Sequence, residues 1–123
     1  MMMRDVIARA RRAGPQSDAQ GVATMDFGFD ATEPFFDGHF PGQPILPGVF
    51  QLEMVRSAAE WMLNRSLAIS TVRKAKFHRP IRPGDTVRLQ VKLTAEANEF
   101  FAQARFFVGE QAAGETQLKL SAA

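Results

Sequence analysis

The feature that most limits the fold is a helix-forming stretch that is apolar around most of its circumference. Residues 49–63, VFQLEMVRSAAEWML, contain no glycine or proline. At about 100° per residue, five polar side chains fall within one stripe about 100° wide, and apolar side chains cover most of the rest. Such a helix, predicted over about residues 48–64 of the 123-residue chain, has to be buried. The polar stripe comprises Glu53, Arg56, Ser57, Glu60 and Asn64.

Most of the remaining chain has the alternation of apolar and polar residues that is typical of strands. The alternation is clearest over residues 87–94, where every second side chain is apolar. A turn at residues 82–85 precedes it, with proline followed by glycine. One long helix among four or five antiparallel strands predicts an α+β fold. The other predicted strands are residues 22–29, 67–81, 100–108 and 116–120.

The N-terminal 20 residues have a different pattern. Residues 1–12 predict an amphipathic helix with Met3, Val6, Ile7 and Ala10 on one side. Residues 13–20, AGPQSDAQ, predict a polar connector, so that residues 21–123 form a single domain. No apolar run approaches the ~18 residues of a membrane span. The chain has no cysteine, which excludes disulfides and fits a reducing compartment such as the cytoplasm.

A loop rich in proline and glycine stands directly before the predicted helix. The predicted loop is residues 31–47; its proline residues fix φ and its glycine residues allow positive φ, so the segment before Gly48 favours neither helix nor strand. The loop delivers His39, and the helix carries Glu53 in its first turns. An imidazole, whose pKa lies near the working pH, and a partly buried carboxyl group suit acid–base catalysis.

Each of these two residues also has a structural interpretation. His39 could cap a turn, and Glu53 could pair with Arg56 three residues later for ~0.2–0.5 kcal/mol. The residues alone leave both interpretations open. Two histidines without cysteine predict no metal site, and no cofactor is expected.

The loop and helix start closely resemble the active-site segment of FabZ-type 3-hydroxyacyl-[acyl carrier protein] dehydratases. That family has GHFPG-x-P-h-h-PG-V followed by a helix with the catalytic carboxylate. Weaker similarity follows at residues 76–85, and the resemblance extends from Gly21 to the end of the chain. The matching residues here are Gly38, His39, Phe40, Pro41, Gly42, Pro44, Pro47, Gly48, Val49 and Glu53.

The resemblance implies a hot-dog fold, in which an antiparallel sheet wraps around one central helix. It also implies dehydration of a 3-hydroxyacyl thioester, carried on an acyl carrier protein, to the trans-2-enoyl thioester. His39 would act with Glu53 of the dimer partner, so a homodimer or dimer-based oligomer is expected. The Gly48 backbone N–H would bind the thioester oxygen, with Val49 and Phe40 beside the substrate. Phe50 and Met54 would be candidates for the lining of an acyl tunnel.

The chain also departs from the FabZ pattern. It has Ser57 where a glutamine is frequent, no tyrosine to gate a tunnel, and no PHRYP-like segment before the first strand. These differences favour a compact relative, similar to the small dehydratases of aryl-polyene or polyketide clusters. A hot-dog acyl thioesterase and a non-catalytic subunit that binds acyl carriers are the alternatives.

Charge is distributed unevenly along the chain although the net charge is only +2. Residues 18–53 hold six acidic and no basic residues, whereas residues 54–92 hold nine basic and two acidic residues. A basic face attracts acidic partners. By the resemblance, that partner is an acidic acyl carrier protein rather than nucleic acid. The alternative interpretation is an ordinary solvated strand face.

Overall fold

The structure, a computed structural model, describes residues 3–37 and 42–123. One long helix lies among six strands, so the predicted α+β class is confirmed. The helices are α1, Met3–Ala10, and α2, Gly48–Leu63, with a 3-10 turn at Pro34–Phe36. The strands are β1, Arg11–Ser17; β2, Val22–Gly28; β3, Leu67–Phe77; β4, Thr86–Glu96; β5, Glu99–Val108; and β6, Gln111–Ala122.

The six strands form one antiparallel sheet in the order β1-β2-β4-β5-β6-β3. Strands β4, β5 and β6 follow one another as hairpins, and β2 pairs with β4. Strand β3 lies at the far edge beside β6, so the chain crosses the sheet between β2 and β3. Helix α2 makes that crossing and lies against one face of the sheet.

The core lies between α2 and the inward-facing side chains of the sheet. Met25, Leu89 and Phe106 are register partners on three successive strands, and all three are buried. The next positions of this row are Gly114 on β6 and Phe77 on β3. The period-two pattern thus predicted β2, β4 and β5 closely, because alternate side chains meet the helix, whereas β3 ends at Phe77 rather than Ile81 and β6 begins at Gln111 rather than Thr116.

The N-terminal segment differs from its prediction at the connector. Strand β1 lies where a polar connector was expected from residue 13, and it pairs with β2 from Arg11 opposite Phe27 to Ser17 opposite Ala23. Glycine and proline suggested a loop here, but they form an irregularity within an edge strand. Gly14 has φ +88°, and a Cβ there would lie 2.4 Å from the Thr24 carbonyl oxygen, so the strand requires glycine.

Helix α1 packs against α2 with its apolar side. Val6, Ile7 and Ala10 are buried, and Met3 packs partly against the core. Arg4 pairs with Glu60 on α2 at 3.3 Å, which adds an exposed ion pair to this contact. Among the described residues, the helices are too short or too polar to cross a membrane.

Candidate active site

A cavity of about 340 Å³ lies at the N-terminal end of α2. The segment before α2 and the segment after β3 form its walls, and the Leu46 N–H donates to the Ile81 carbonyl oxygen at 2.7 Å between them. The backbone N–H groups of His78 and Arg79 both donate to the Ala113 oxygen, at 2.8 and 3.2 Å, which fixes the second segment on β6. The lining residues are Ile45, Leu46, Pro47, Gly48, Gln51, Phe77, His78, Arg79, Pro80 and Ile81.

Gly48 is the first residue of α2 and lines this cavity. The amides of a first helical turn have no acceptor within the helix, and the helix dipole adds partial positive charge there. This end of the cavity therefore suits an oxygen that carries negative charge. The neighbouring Val49 is 52% exposed and does not line the cavity.

The side chain closest to Gly48 is the ring of Phe77. A Cβ at Gly48 would lie 2.6 Å from Phe77 Cε2, which is shorter than any ordinary contact. The absence of a Cβ at Gly48 therefore leaves room for the Phe77 ring in its present position. Phe77 is itself 45% exposed, so its ring can turn away.

Gln51 is a residue of this cavity that sequence reasoning missed. It lies one turn after Gly48, on the same side of α2, and is only 2% exposed. Its Oε1 is buried and has no hydrogen-bond partner among the described residues. An unpaired buried polar atom costs ~1–3 kcal/mol and calls for an explanation such as a bound group. The spacing of three residues from Gly48 was the available signal.

Glu53 lies on the other side of the helix from this cavity. At about 100° per residue it is roughly 160° around α2 from Gln51. Its carboxylate accepts from Arg56 Nε at 3.0 and 2.9 Å, and Arg56 Nη2 makes a further, shorter contact. The alternative interpretation of Glu53 as an ion-pair partner of Arg56 is thus realised. The cavity and the carboxylate of one chain face different directions.

Arg56 is buried at the centre of a polar network. Its side chain is 5% exposed, and its Nη1 contacts Glu60 Oε2 at 2.7 Å and the Leu67 carbonyl oxygen at 3.2 Å. Burial opposes the charge of Arg56, but its bonds to Glu53 and Glu60 prevail and raise its pKa. Burial likewise opposes ionisation of Glu60, but the Leu67 N–H and Arg56 bonds lower its pKa. The network thus joins Glu53, through Arg56, to the first residue of β3.

The remaining predicted site residues have separate outcomes. His39 and Phe40 fall in residues 38–41, outside the described residues. Phe50 and Met54 are core residues, and Phe50 stacks on Phe35 with ring centroids 4.4 Å apart. Both pack in the core of this chain, and the suggestion that they line a tunnel stays a prediction.

Strand β3 has a hydrogen-bonded neighbour on one side only, within the sheet of the described residues. It is 11 residues long, and its middle residue, Val72, is 47% exposed. Its exposed side chains are mixed, with Arg73 and Lys76 near Val72, but an open strand edge is a surface on which another strand can pair.

Comparisons with known proteins agree with this architecture. The family model of ApeI-like proteins, described as the ApeI dehydratase, matches residues 15–116. A 3-hydroxyacyl-[acyl-carrier-protein] dehydratase FabZ of Caulobacter vibrioides is 31% identical over 122 residues, covering 91% of this chain and 74% of that protein. The FabZ of Chlamydia trachomatis serovar L2 is 41% identical over 98 residues, covering 70% of this chain and 63% of that protein.

Among solved structures, the dehydratase heterocomplex ApeI:P from Xenorhabdus doucetiae is similar. It has a TM-score of 0.70 and 30% identity, and the match covers 86% of this chain and 92% of that chain. The helix enclosed by an antiparallel sheet is therefore the hot-dog fold of a FabZ-type dehydratase. The chain belongs to the ApeI-like dehydratase family.

Proposed function

We propose that this enzyme dehydrates a 3-hydroxyacyl thioester on an acyl carrier protein to the trans-2-enoyl thioester, with a His39/Glu53 pair shared across a dimer. Support for the reaction comes from the FabZ relatives, which are named for it. Support for a shared site comes from the opposite directions of the Gly48 cavity and Glu53 on α2. In one chain, the Gly48 cavity and the Glu53 carboxylate therefore do not face the same thioester.

Two-fold pairing through the β3 edge would bring the two groups together. In an antiparallel pair of β3 strands, the last residues of one strand lie beside the first residues of the other. The cavity adjoins Phe77 at the end of β3, whereas the Arg56–Glu53 network contacts Leu67 at its start. The cavity of one chain would therefore lie near the carboxylate of its partner.

The reaction requires removal of a proton from C2 and departure of the hydroxyl group from C3. His39 as the base accepts the C2 proton, and negative charge develops on the thioester oxygen. The Gly48 N–H, at the start of α2, donates to that oxygen; one such donor is typically worth ~2.7–4 kcal/mol. Glu53 donates a proton to the hydroxyl group, the C3–O bond breaks and water leaves. Glu53 must therefore carry a proton before this step, on a lone pair that Arg56 does not use, and it is left afterwards as the carboxylate that Arg56 bonds.

The acyl carrier protein is proposed as the partner because basic side chains stand near the cavity. Arg79 lines the cavity. Lys76 precedes Arg79 and Arg82 follows it in the sequence, and both are exposed. The basic face contains fewer residues than the nine that the sequence of 54–92 suggested. Arg56 is buried, and Lys74 and Arg88 pair with Glu115 and Asp26.

The test of the reaction uses 3-hydroxyacyl and trans-2-enoyl thioesters, with enoyl absorbance and free thiol followed separately. We expect interconversion without thiol release. Thiol release would indicate a thioesterase, and neither signal would indicate a binding subunit. His39→Ala and Glu53→Gln should each lower turnover by ~10²–10⁴-fold without unfolding the chain.

The test of the shared site uses mixed dimers of these two inactive variants. Each mixed dimer holds one site with an intact His39 and an intact Glu53, so part of the activity should return. The ApeI:P structure is a heterocomplex, and the purified chain is therefore assayed alone first. Verified mixed dimers without activity would argue against a site shared between two copies.

A further inference from the structure

We propose that Arg56 is a positioning residue that holds the Glu53 carboxylate in its catalytic orientation. This inference rests on the proposed role of Glu53. Arg56 itself does not line the cavity and is not expected to touch the substrate.

The geometry of the contacts carries this inference. Arg56 Nε and Nη2 both face the Glu53 carboxylate, so the flat fork of the guanidinium fixes the plane of that group. The other end of the same guanidinium is held by Glu60 and the Leu67 carbonyl oxygen. Ser57 Oγ accepts a further bond from Nη2 at 3.3 Å. Few rotations of Glu53 remain compatible with these bonds.

Burial distinguishes the two ion pairs of Arg56, with Glu53 and with Glu60, from the other ion pairs of the described residues. The side chains of Arg56 and Glu53 are 5% and 14% exposed, whereas those of Arg88 and Asp26 are 58% and 21% exposed. Exposed pairs contribute little and fluctuate, whereas a buried charge keeps its partners. A buried arginine between two carboxylates is costly to desolvate, so packing alone does not favour it over an apolar side chain. A requirement to orient Glu53 explains its presence.

The experiment compares Arg56→Met and Arg56→Lys with Arg88→Met. Arg88→Met is the matched control, since it also removes an arginine from a two-bond carboxylate pair, at a distance from α2 on β4. Turnover and KM are measured on purified protein, together with unfolding in urea to give the folded fraction.

We expect Arg56→Met to lower kcat about 10- to 100-fold, because small misplacements of a catalytic group have effects of that size. KM should change less than about three-fold, because substrate binding does not use Arg56. Arg56→Lys keeps the charge but loses the fork, so it should recover only part of kcat. Arg88→Met should leave kcat at the wild-type value.

Three results would overturn the inference. One is a folded Arg56→Met with normal kcat; another is a kcat that falls only in proportion to the folded fraction. If Arg56→Met does not fold, a normal kcat in Arg56→Lys has the same consequence. Failure of the proposed function is distinguishable, because Glu53→Gln would then turn over normally whatever the Arg56 variants do.

Discussion

At the scale of single residues, Gly48 serves two contacts that can be separated. Its backbone N–H stands at the start of α2, and its missing side chain leaves room for the Phe77 ring. From the sequence, the resemblance implied that the Gly48 N–H binds the thioester oxygen. The structure adds the ring, because a Cβ would first meet Phe77.

The first prediction concerns Gly48→Ala, alone and combined with Phe77→Ala. The half-exposed ring can turn away, so Gly48→Ala should remain folded while turnover falls at least ten-fold toward the ~10²-fold typical of losing an oxyanion donor. If the Cβ obstructs the thioester, Gly48→Ala should lower turnover just as much in the Phe77→Ala background. Turnover and thermal melting of all four proteins would be measured. A double variant equal to Phe77→Ala alone would mean that the displaced ring, not the Cβ, caused the loss.

At the scale of elements, the sequence predicts correctly the elements in which burial of apolar side chains alone sets the pattern. Apolar and polar side chains alternate along the whole of β4 because one face of the strand meets the helix. Helix α2 could be predicted because a nearly all-apolar helix has to be buried. Strand β1 was missed because glycine and proline usually interrupt strands, whereas here they form an irregular edge.

At the site, what could be predicted from the sequence was limited by which part of the chain covers the polar stripe of α2. The ion pair between Glu53 and Arg56 was one of the two interpretations that the sequence left open, and the structure contains it. Burial of Arg56 was not predictable, because it follows from β3 beginning at Leu67 directly beside the stripe. The buried carboxamide of Gln51 was missed for a similar reason, since its apolar neighbours come from distant parts of the chain.

The second prediction concerns the exposed edge of β3. Val72 is the middle residue of the strand, and in a two-fold pair the middle residues of both copies lie near the axis. Val72→Asp would place like charges close together there, so the dimer should dissociate and activity should fall with it. Thr94→Asp, an exposed position on the internal strand β4, is the control and should remain dimeric. Sedimentation velocity with circular dichroism would measure assembly and folding. A stable Val72→Asp dimer would indicate that the chains associate elsewhere.

At the scale of the whole molecule, the distribution of charge matters more than the net charge of +2. Among the basic residues of 54–92, Arg56 is buried, Lys74 and Arg88 are paired with carboxylates, Arg65 and Arg73 lie over phenylalanine rings, and a small set lies near the cavity. Lys92, by contrast, is exposed on β4, and it lines a separate groove with Gln103 and Gln117. Only the basic residues near the cavity are placed to guide a carrier toward Gly48.

The last prediction separates these two groups of basic residues. Arg79→Glu should raise KM for a carrier-linked substrate by roughly ten-fold at low salt, since a charge at the site entrance steers an acidic partner. The effect should shrink as salt rises and the Debye length falls to about 8 Å near physiological ionic strength. KM for a small thioester analogue should hardly change, because such a substrate carries no acidic protein. Lys92→Glu makes the same change of sign on the distant groove and should leave both KM values alone. Equal effects of Arg79→Glu on both substrates would mean that Arg79 acts on the acyl thioester itself, and an effect of Lys92→Glu would move the docking surface to the outer face of the sheet.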